Sequence, residues 1–519
     1  MELATFFEKF DQFADAPNAV AKMRELVLHL AVTGRLVATA QVCQKKPLKS
    51  LATKIGSGAT PAGGRESYFS EGIPLIRSMN VHFRGFDRTG IVFLSEEQAD
   101  KLANVVVQPD DVLLNITGAS IGRVTTAPPE MAGARVNQHV TIIRPTAELL
   151  PRFLAMFLAS PAVQQMINDV QVGATRQALT KGMIEQFIIP LPPLAGQKRI
   201  VTKVDKLMAL CDRLEAQQQD RDARHAALAR ASLARFADAP TPANLNLLFH
   251  PAYAIAPADI RKTILSLAVQ GKLVHQDVND EPAEELIDRI SDKRRAAKLK
   301  GYRPVDSGEV PYEIPESWSW VRLGNVSLKS DSGWSPQCFP EGRSGTEWGV
   351  LKVSAVSWGV FKAEENKALP PGMRARPDCE VQAGDFLLSR ANTEELVARS
   401  VVVDQTPPRL MMSDKIVRFT FPDEIEKAFI NLANSSDSSR DYYVRNASGT
   451  SSSMKNVGRD VMCSLPIPLP PLAEQRRIVA KVDELMALVD QLETQLAASR
   501  AAASNLMEAV VAELTVEGP

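Results

Sequence analysis

Residues 189–215 read IPLPPLAGQKRIVTKVDKLMALCDRLE, and residues 467–493 read IPLPPLAEQRRIVAKVDELMALVDQLE. The two stretches align without a gap, and 21 of the 27 positions are identical. Composition alone does not produce such a match, so the chain is built twice. Solenoid repeats recur every few tens of residues; a period this long means two domain-sized halves. Each copy opens on a proline run (Pro190, Pro192, Pro193; Pro468, Pro470, Pro471). Proline fixes φ and pushes its predecessor out of the α region, so this opening is extended. An amphipathic helix follows. Its apolar residues are Ile200, Val204, Leu207, Cys211 and Leu214 in the first copy, and Ile478, Val482, Leu485, Val489, Leu492 and Leu496 in the second. Steps alternating between four and three are the period of a coiled-coil seam. One such helix would read as a bundle helix; two matched copies predict helices packed on each other.

A second repeat has a different, shorter offset. MRELVLHLAVTGRLV at 23–37 returns as IRKTILSLAVQGKLV at 260–274. Gly34 and Gly271 stand where a helix would close on a left-handed residue. The two offsets agree if the chain is treated as a circle. The stretch from Ile200 to Ala268 is then matched, almost in length, by the path from Ile478 through the C-terminus and on from Met1 to Ala31. The repeat is therefore cyclic, with pseudo-two-fold symmetry and chain ends expected near each other.

Between the helical parts lie two β-rich segments. The first (47–188) carries the strand-like runs IPLIRSMNV, GIVFLS, DVLLNITG and HVTIIRP. The second (281–465, with a leading basic helix) carries WGVLKVSAVSWGVF, GDFLLSRAN and DKIVRFTF in the same order. Short apolar runs bounded by Gly and Pro are strand signals. Residues 1–46 are expected to be helical, 189–280 to be a central helical region, and 466–519 a C-terminal one whose apolar face runs through Leu506, Val510 and Leu514. The basic text DRISDKRRAAKLKGYRP is expected to form an amphipathic helix with a solvated face, or alternatively to touch phosphate.

At 519 residues the chain is too long for one core. Hydrophobic content of 45% and charged content of 23% are those of an ordinary globular protein. The net charge of −1 carries no global basic excess, so any nucleic-acid binding must come from local patches. The five cysteines are scattered, without a C-x-x-C, which excludes a sequence-evident zinc site or disulfide framework. No apolar run approaches the roughly 18 residues of a membrane span, and the N-terminus lacks a signal-type apolar core. The cytoplasm is the expected compartment. Neither a phosphate-binding GxxxxGK[ST] loop nor an N/D-P-P-Y/F methyltransferase motif is present. The six histidines are dispersed and read as structural or surface residues.

The IPLPPLAEQRRIVAKVDELM text with its duplicate, the LAVQGKLV text and YEIPESWSWVRLG together resemble the specificity subunit of type I restriction–modification systems, over essentially the whole chain. The resemblance implies an α+β fold: two α/β target recognition domains separated by two long helices that form an antiparallel coiled coil. It implies that each recognition domain reads one half of a bipartite asymmetric target in double-stranded DNA. The coiled coil would set the half-site spacing and dock two adenine-methylating (M) subunits; ATP-dependent restriction (R) subunits would join them. By that resemblance the chain is not an enzyme itself and binds no metal or cofactor, with S-adenosylmethionine, ATP and Mg expected on the partners. Near-identical frames holding unlike inserts also suit a protein-binding scaffold, and an unrecognised catalytic site is a third reading.

Base readout draws on Arg, Lys, Asn and Gln, backed by hydroxyls. In the first segment the candidates are Arg77, Ser78, Asn80, His82 and Arg84; Asn115, Thr117, Ser120 and Arg123; Asn137 and Gln138; and Thr175, Arg176 and Lys181, in and beside a loop placed like a Gly/Thr/Arg-rich loop of the family. In the second they are Lys352, Ser354, Arg390, Asn392, Ser413 and Lys415, then Thr450, Ser451, Ser453 and Lys455. No arginine matches Arg176 there; Met454 falls at its place. For each residue, ordinary surface or turn chemistry is the competing explanation.

Overall fold

The computed structural model describes residues 16, 18–37, 43–61, 67–169, 178–250, 252–357, 359–449 and 454–515. The chain divides into two compact units, Met1–Asp222 with Ala497–Pro519, and Ala223–Leu496.

In the first unit the strands are β1 (Gln44–Pro47), β2 (Ala52–Ser57), β3 (Ile73–Ile76), β4 (Val81–His82), β5 (Gly85–Phe86), β6 (Val92–Leu94), β7 (Val112–Asn115), β8 (Val124–Thr126), β9 (Arg135–Val136), β10 (Val140–Pro145) and β11 (Ile188–Leu191). Four form an antiparallel sheet ordered β2-β10-β7-β8. Three form a sheet ordered β6-β3-β9, antiparallel on one side of β3 and parallel on the other. The proline run is extended as expected, and β11 pairs with β1. That pairing makes Gln44–Pro47 a strand, where the sequence alone suggested helix. A two-stranded ribbon tolerates Pro190 because the missing N–H falls on no central ladder.

The second unit repeats this arrangement. Its strands are β12 (Ser319–Arg322), β13 (Lys329–Ser332), β14 (Gly349–Leu351), β15 (Asn366–Ala368), β16 (Phe386–Ser389), β17 (Ala391–Asn392), β18 (Ser400–Val402), β19 (Leu410–Met411), β20 (Ile416–Thr420), β21 (Lys455–Asn456) and β22 (Pro466–Leu469). The four-stranded sheet is β13-β20-β16-β18, and the three-stranded sheet is β15-β14-β19, again antiparallel then parallel. β12 pairs with β22 as β1 does with β11. The echo of VLLN in FLLS is thus topological: β7 and β16 hold the same place in corresponding sheets.

The two repeated texts become helices Leu194–Asp238 and Leu472–Thr515, of 45 and 44 residues. Within the first unit, helix Ala19–Val32 is covered on two faces. Val27 and Ala31 share a core with Leu114, Phe153 and Ile189 of the β-rich domain, and with Ile200, Val204 and Leu207. Met23, Leu26 and Leu30 pack with Cys211, Leu214, Met507, Val510 and Leu514. The stripe expected to be one helix–helix seam therefore changes partner along its length. Its first three positions dock the domain, and only Cys211 and Leu214 meet the other long helix. A heptad stripe specifies an apolar surface, not what covers it. At the C-terminus Val510 and Leu514 are buried as expected, but Met507, fully buried, takes the place expected of Leu506, which is 58% exposed.

In the second unit, Ile478, Val482, Leu485 and Val489 lie in one core with Ile260, Ile264, Leu267 and Phe236, and Leu492 packs against it. Each unit thus joins the end of one long helix to the first half of the other, the antiparallel order. The ion pairs repeat as well. Arg24 reaches Asp212 and Glu215 at 2.7 and 2.8 Å; Arg261 reaches Asp490 and Glu493 at 2.6 Å each. Lys22 and Glu508 pair at 3.0 Å, which brings the two ends of the described chain together as the cyclic repeat requires. Gly34 and Gly271 take φ of 76° and 70°. Both close their helices with the 6→1 bond of a Schellman motif, Arg35 N–H to the Leu30 carbonyl and Lys272 N–H to the Leu267 carbonyl.

The basic text forms helix Ala283–Ala296. Its cations are used locally: Arg289 pairs with Glu281, Lys293 with Glu424, and buried Arg294 donates to the Ser327 carbonyl.

Candidate nucleic-acid interface

In the first domain the β3–β4 turn, the β7–β8 turn and the residues entering β10 meet at one end of the two sheets. Asn115 closes strand β7 and donates from its side-chain nitrogen to the Ser78 carbonyl at 2.8 Å, tying two of these turns together. Thr117 bonds His139. Around them Ser78, Thr117, Ser120, Arg123 and His139 line an open cavity of about 500 Å³ with Met79. A neighbouring cleft of about 570 Å³ is lined by His82, Arg84, Phe86 and Asp87, and again by Arg123. The structure thus gathers six of the fourteen predicted residues of this domain (Ser78, His82, Arg84, Thr117, Ser120 and Arg123) around two adjoining clefts. Sequence reasoning set His139 aside as a dispersed histidine; its nearness to Thr117 is a product of the β7–β10 pairing.

Several candidates are spent on the fold. Asn80 is fully buried; its oxygen accepts the Arg77 N–H and its nitrogen donates to the Asp87 and Thr89 carbonyls, so it fastens a turn and offers nothing to a base. Asn115 is equally buried, and Asn137 holds the His139 N–H at 3.1 Å. Arg77 donates to the Gly90 carbonyl beside the Tyr68 ring. Arg84 pairs with Glu215 at 2.9 Å. Hydrogen bonds from Arg84 and Arg24 hold the Glu215 carboxyl down at about 2. Gln138 is exposed and accepts from the Thr60 hydroxyl. Lys181 is exposed beside Glu185, 3.8 Å away, and lines neither cleft. Thr175 and Arg176 lie outside the described residues, as do Thr450, Ser451 and Ser453.

In the second domain β17 pairs with β21, setting Asn392 opposite Lys455. Arg390 and Lys415 are joined through the backbone at 2.8 Å. Buried Ser413 has a hydroxyl without a partner, and so has the Arg390 Nε. Lys415 pairs with Asp414 at 3.1 Å, and Asn392 donates to the Ser357 hydroxyl at 2.9 Å. Lys352 and Ser354 both face Glu365, at 3.8 and 2.7 Å; that carboxylate offsets the cation and makes this turn a poor phosphate contact. One residue was missed. The Ser389 N–H donates to the Arg399 carbonyl at 2.8 Å, as the Asn115 N–H does to the Arg123 carbonyl at 2.9 Å. Arg399 therefore occupies the place of Arg123. Only strand register reveals it, because the surrounding sequences differ.

Among the described residues no group of three or more His, Cys, Asp or Glu could hold a metal ion. No described helix is long and apolar enough to cross a membrane.

Residues 43–221, which include the whole first domain, match the family model described as "Type I restriction modification DNA specificity domain". Among curated relatives, the chain is 34% identical to the type I restriction enzyme EcoEI specificity subunit of Escherichia coli, over 71% of this chain and 66% of that protein. It is 26% identical to the EcoAI specificity subunit of Escherichia coli, over 68% and 62%. It is 23% identical to the EcoKI specificity subunit of Escherichia coli strain K12, over 85% and 81%. The first two matches thus span just under two thirds of the relatives' own length. On these likenesses, and on the duplicated frame that carries them, the chain holds a type I restriction modification DNA specificity domain and is similar over 71% of its length to a type I specificity subunit.

Proposed function

We propose that this chain is the non-catalytic sequence reader of a type I restriction–modification complex, each β-rich domain reading one half of a bipartite asymmetric target in double-stranded DNA. The observation that carries this reading is one topology used twice with unlike side chains at the same end. Thr117, Ser120, Arg123 and His139 stand there in the first domain; Arg390, Asn392, Lys415 and Lys455 stand there in the second. A duplicated frame supplies the same positioning twice, and different surface groups supply two different specificities. The long helices would set the spacing between half-sites and dock two methyltransferase subunits, with restriction subunits completing the assembly. S-adenosylmethionine, ATP and Mg would then be bound by those partners, in the cytoplasm.

The test is protection of DNA by the complex assembled on the full chain. Two short protected segments are expected. Exchanging the first domain for that of a relative should change one segment and leave the other. Sequence-independent protection, or none, would leave a protein-binding scaffold as the surviving reading.

A further inference from the structure

Among the described arginines of the first domain, all but one are committed. Arg77 donates to the Gly90 carbonyl, and Arg135 to the Ala99 and Gly133 carbonyls. Arg84, Arg88, Arg144 and Arg152 pair with Glu215, Glu130, Asp111 and Asp205. The Arg123 guanidinium meets neither carboxylate nor carbonyl among the described residues: its Nη1 stands 3.4 Å from Nδ1 of His82. The His82 Nε2 is 2.8 Å from the Met79 carbonyl, which can only accept. Nε2 therefore carries the proton, and Nδ1 presents its lone pair to Arg123. A bond at 3.4 Å is loose; it orients the guanidinium while leaving the rest of its donor fork open.

The backbone of Arg123 is held on both sides. Its carbonyl accepts from Asn115 at 2.9 Å and its N–H donates to the Ser120 carbonyl at 3.2 Å. A held backbone, an open fork and a place on both open clefts suit two-armed recognition of a guanine edge, since O6 and N7 match that fork in the major groove. We propose that Arg123 reads a guanine in the half-site of the first domain, with His82 as its positioning residue. The proposal rests on the DNA-reading function given above. It is specific to this domain: Arg399, the counterpart, already gives its Nε to the Glu395 carbonyl at 3.1 Å.

The experiment uses the methylating complex assembled on the full chain and a duplex pool randomised across both half-sites, read out as adenine methylation. Wild type should require a G·C pair at one position of the first half-site. Arg123→Ala should lower that preference by about tenfold to a hundredfold and leave the other half-site unchanged. Arg123→Lys, a point charge, should keep overall binding and lose most of the discrimination; it also carries the test if the alanine variant assembles poorly. His82→Ala should relax the same position and no other. The proposal is overturned if Arg123→Ala weakens every sequence equally and lowers the salt slope by about one, the mark of a phosphate contact, or if the preferred sequence does not change. A wild-type complex with no sequence preference would instead bring down the functional reading on which the proposal stands.

Discussion

The side-chain oxygen of Gln197 accepts the backbone N–H of Leu150 at 2.8 Å, while its nitrogen donates to the Glu148 and Pro192 carbonyls at 2.9 Å each. Gln475, its counterpart in the second copy, accepts the Glu426 N–H and donates to the Pro470 carbonyl, both at 2.9 Å. Both glutamines are fully buried at the start of a long helix. Each joins three pieces of chain: the proline run, the helix, and the segment leading into the helical part of the adjacent domain. That is why a polar residue is retained in both copies of an apolar stretch.

Removing either amide leaves a buried donor and acceptor unmet, which costs about 1–3 kcal/mol per group. All five tryptophans (318, 320, 334, 348 and 358) lie in the second unit, so their fluorescence reports that unit selectively. Gln475→Ala, which leaves two such groups unmet, should lower the urea midpoint followed by tryptophan emission, by a stability loss of about 2–6 kcal/mol. Gln197→Ala should leave that transition in place and act on the first unit alone. Equal shifts from both variants would show that the two units do not unfold separately.

Glu215 predicts a pH dependence of known sign. Its carboxyl is held at about 2 by Arg84 and Arg24, below the ordinary value of about 4.3. The folded-state pKa is depressed, so the stabilisation is fully present above the ordinary value and is lost as pH falls through about 2. At pH 7, Glu215→Gln should therefore speed amide exchange in helix Ala19–Val32 and in the β4–β5 ribbon. The gap from wild type should narrow as the pH falls from the ordinary carboxylate value towards about 2. A gap that stayed constant across that range would mean the ion pairs contribute nothing there.

The frame was legible in the sequence because it is written twice. The match of 189–215 with 467–493, that of 23–37 with 260–274, the glycine caps and the order of the β runs all follow from comparing the chain with itself. The recognition face was legible only by region. Polar residues in strand-end turns either face the ligand or tie the turns together, and sequence does not separate the two. Asn80 and Asn115 proved to be ties, Thr117 and Arg123 face an open cleft, and Arg399 became visible only through its backbone bond to Ser389. The seam failed partway for a related reason: Ile200, Val204 and Leu207 have the heptad spacing but meet a domain.

The last turns of the chain allow a sharp contrast between neighbours. Met507 is fully buried against helix Ala19–Val32 and Cys211, whereas Leu506 is 58% exposed. Met507→Ala should cost about 2–5 kcal/mol, the range for a truncated buried methionine. Leu506→Ala should fall within about 0.5 kcal/mol of wild type, as exposed substitutions do. Thermal unfolding followed by helical circular dichroism measures both. Equal costs would mean that Met507 is no more a part of this core than Leu506 is.

If the long helices set the distance between half-sites, lengthening them should move the half-sites by a calculable amount. One inserted heptad adds about 10.5 Å of helix and returns the apolar stripe to within about 20° of its original face. That length corresponds to about three base pairs, at about 3.4 Å each. A heptad inserted between 216 and 224, within helix Leu194–Asp238, and matched by one between 494 and 502 in helix Leu472–Thr515, should lengthen the recognised spacer by about three base pairs. The two half-site sequences should stay as they were, because no strand or turn of either domain is touched. Mapping methylated adenines in cells carrying the lengthened chain measures the spacer directly. An unchanged spacer would mean that something other than these helices holds the two readers apart.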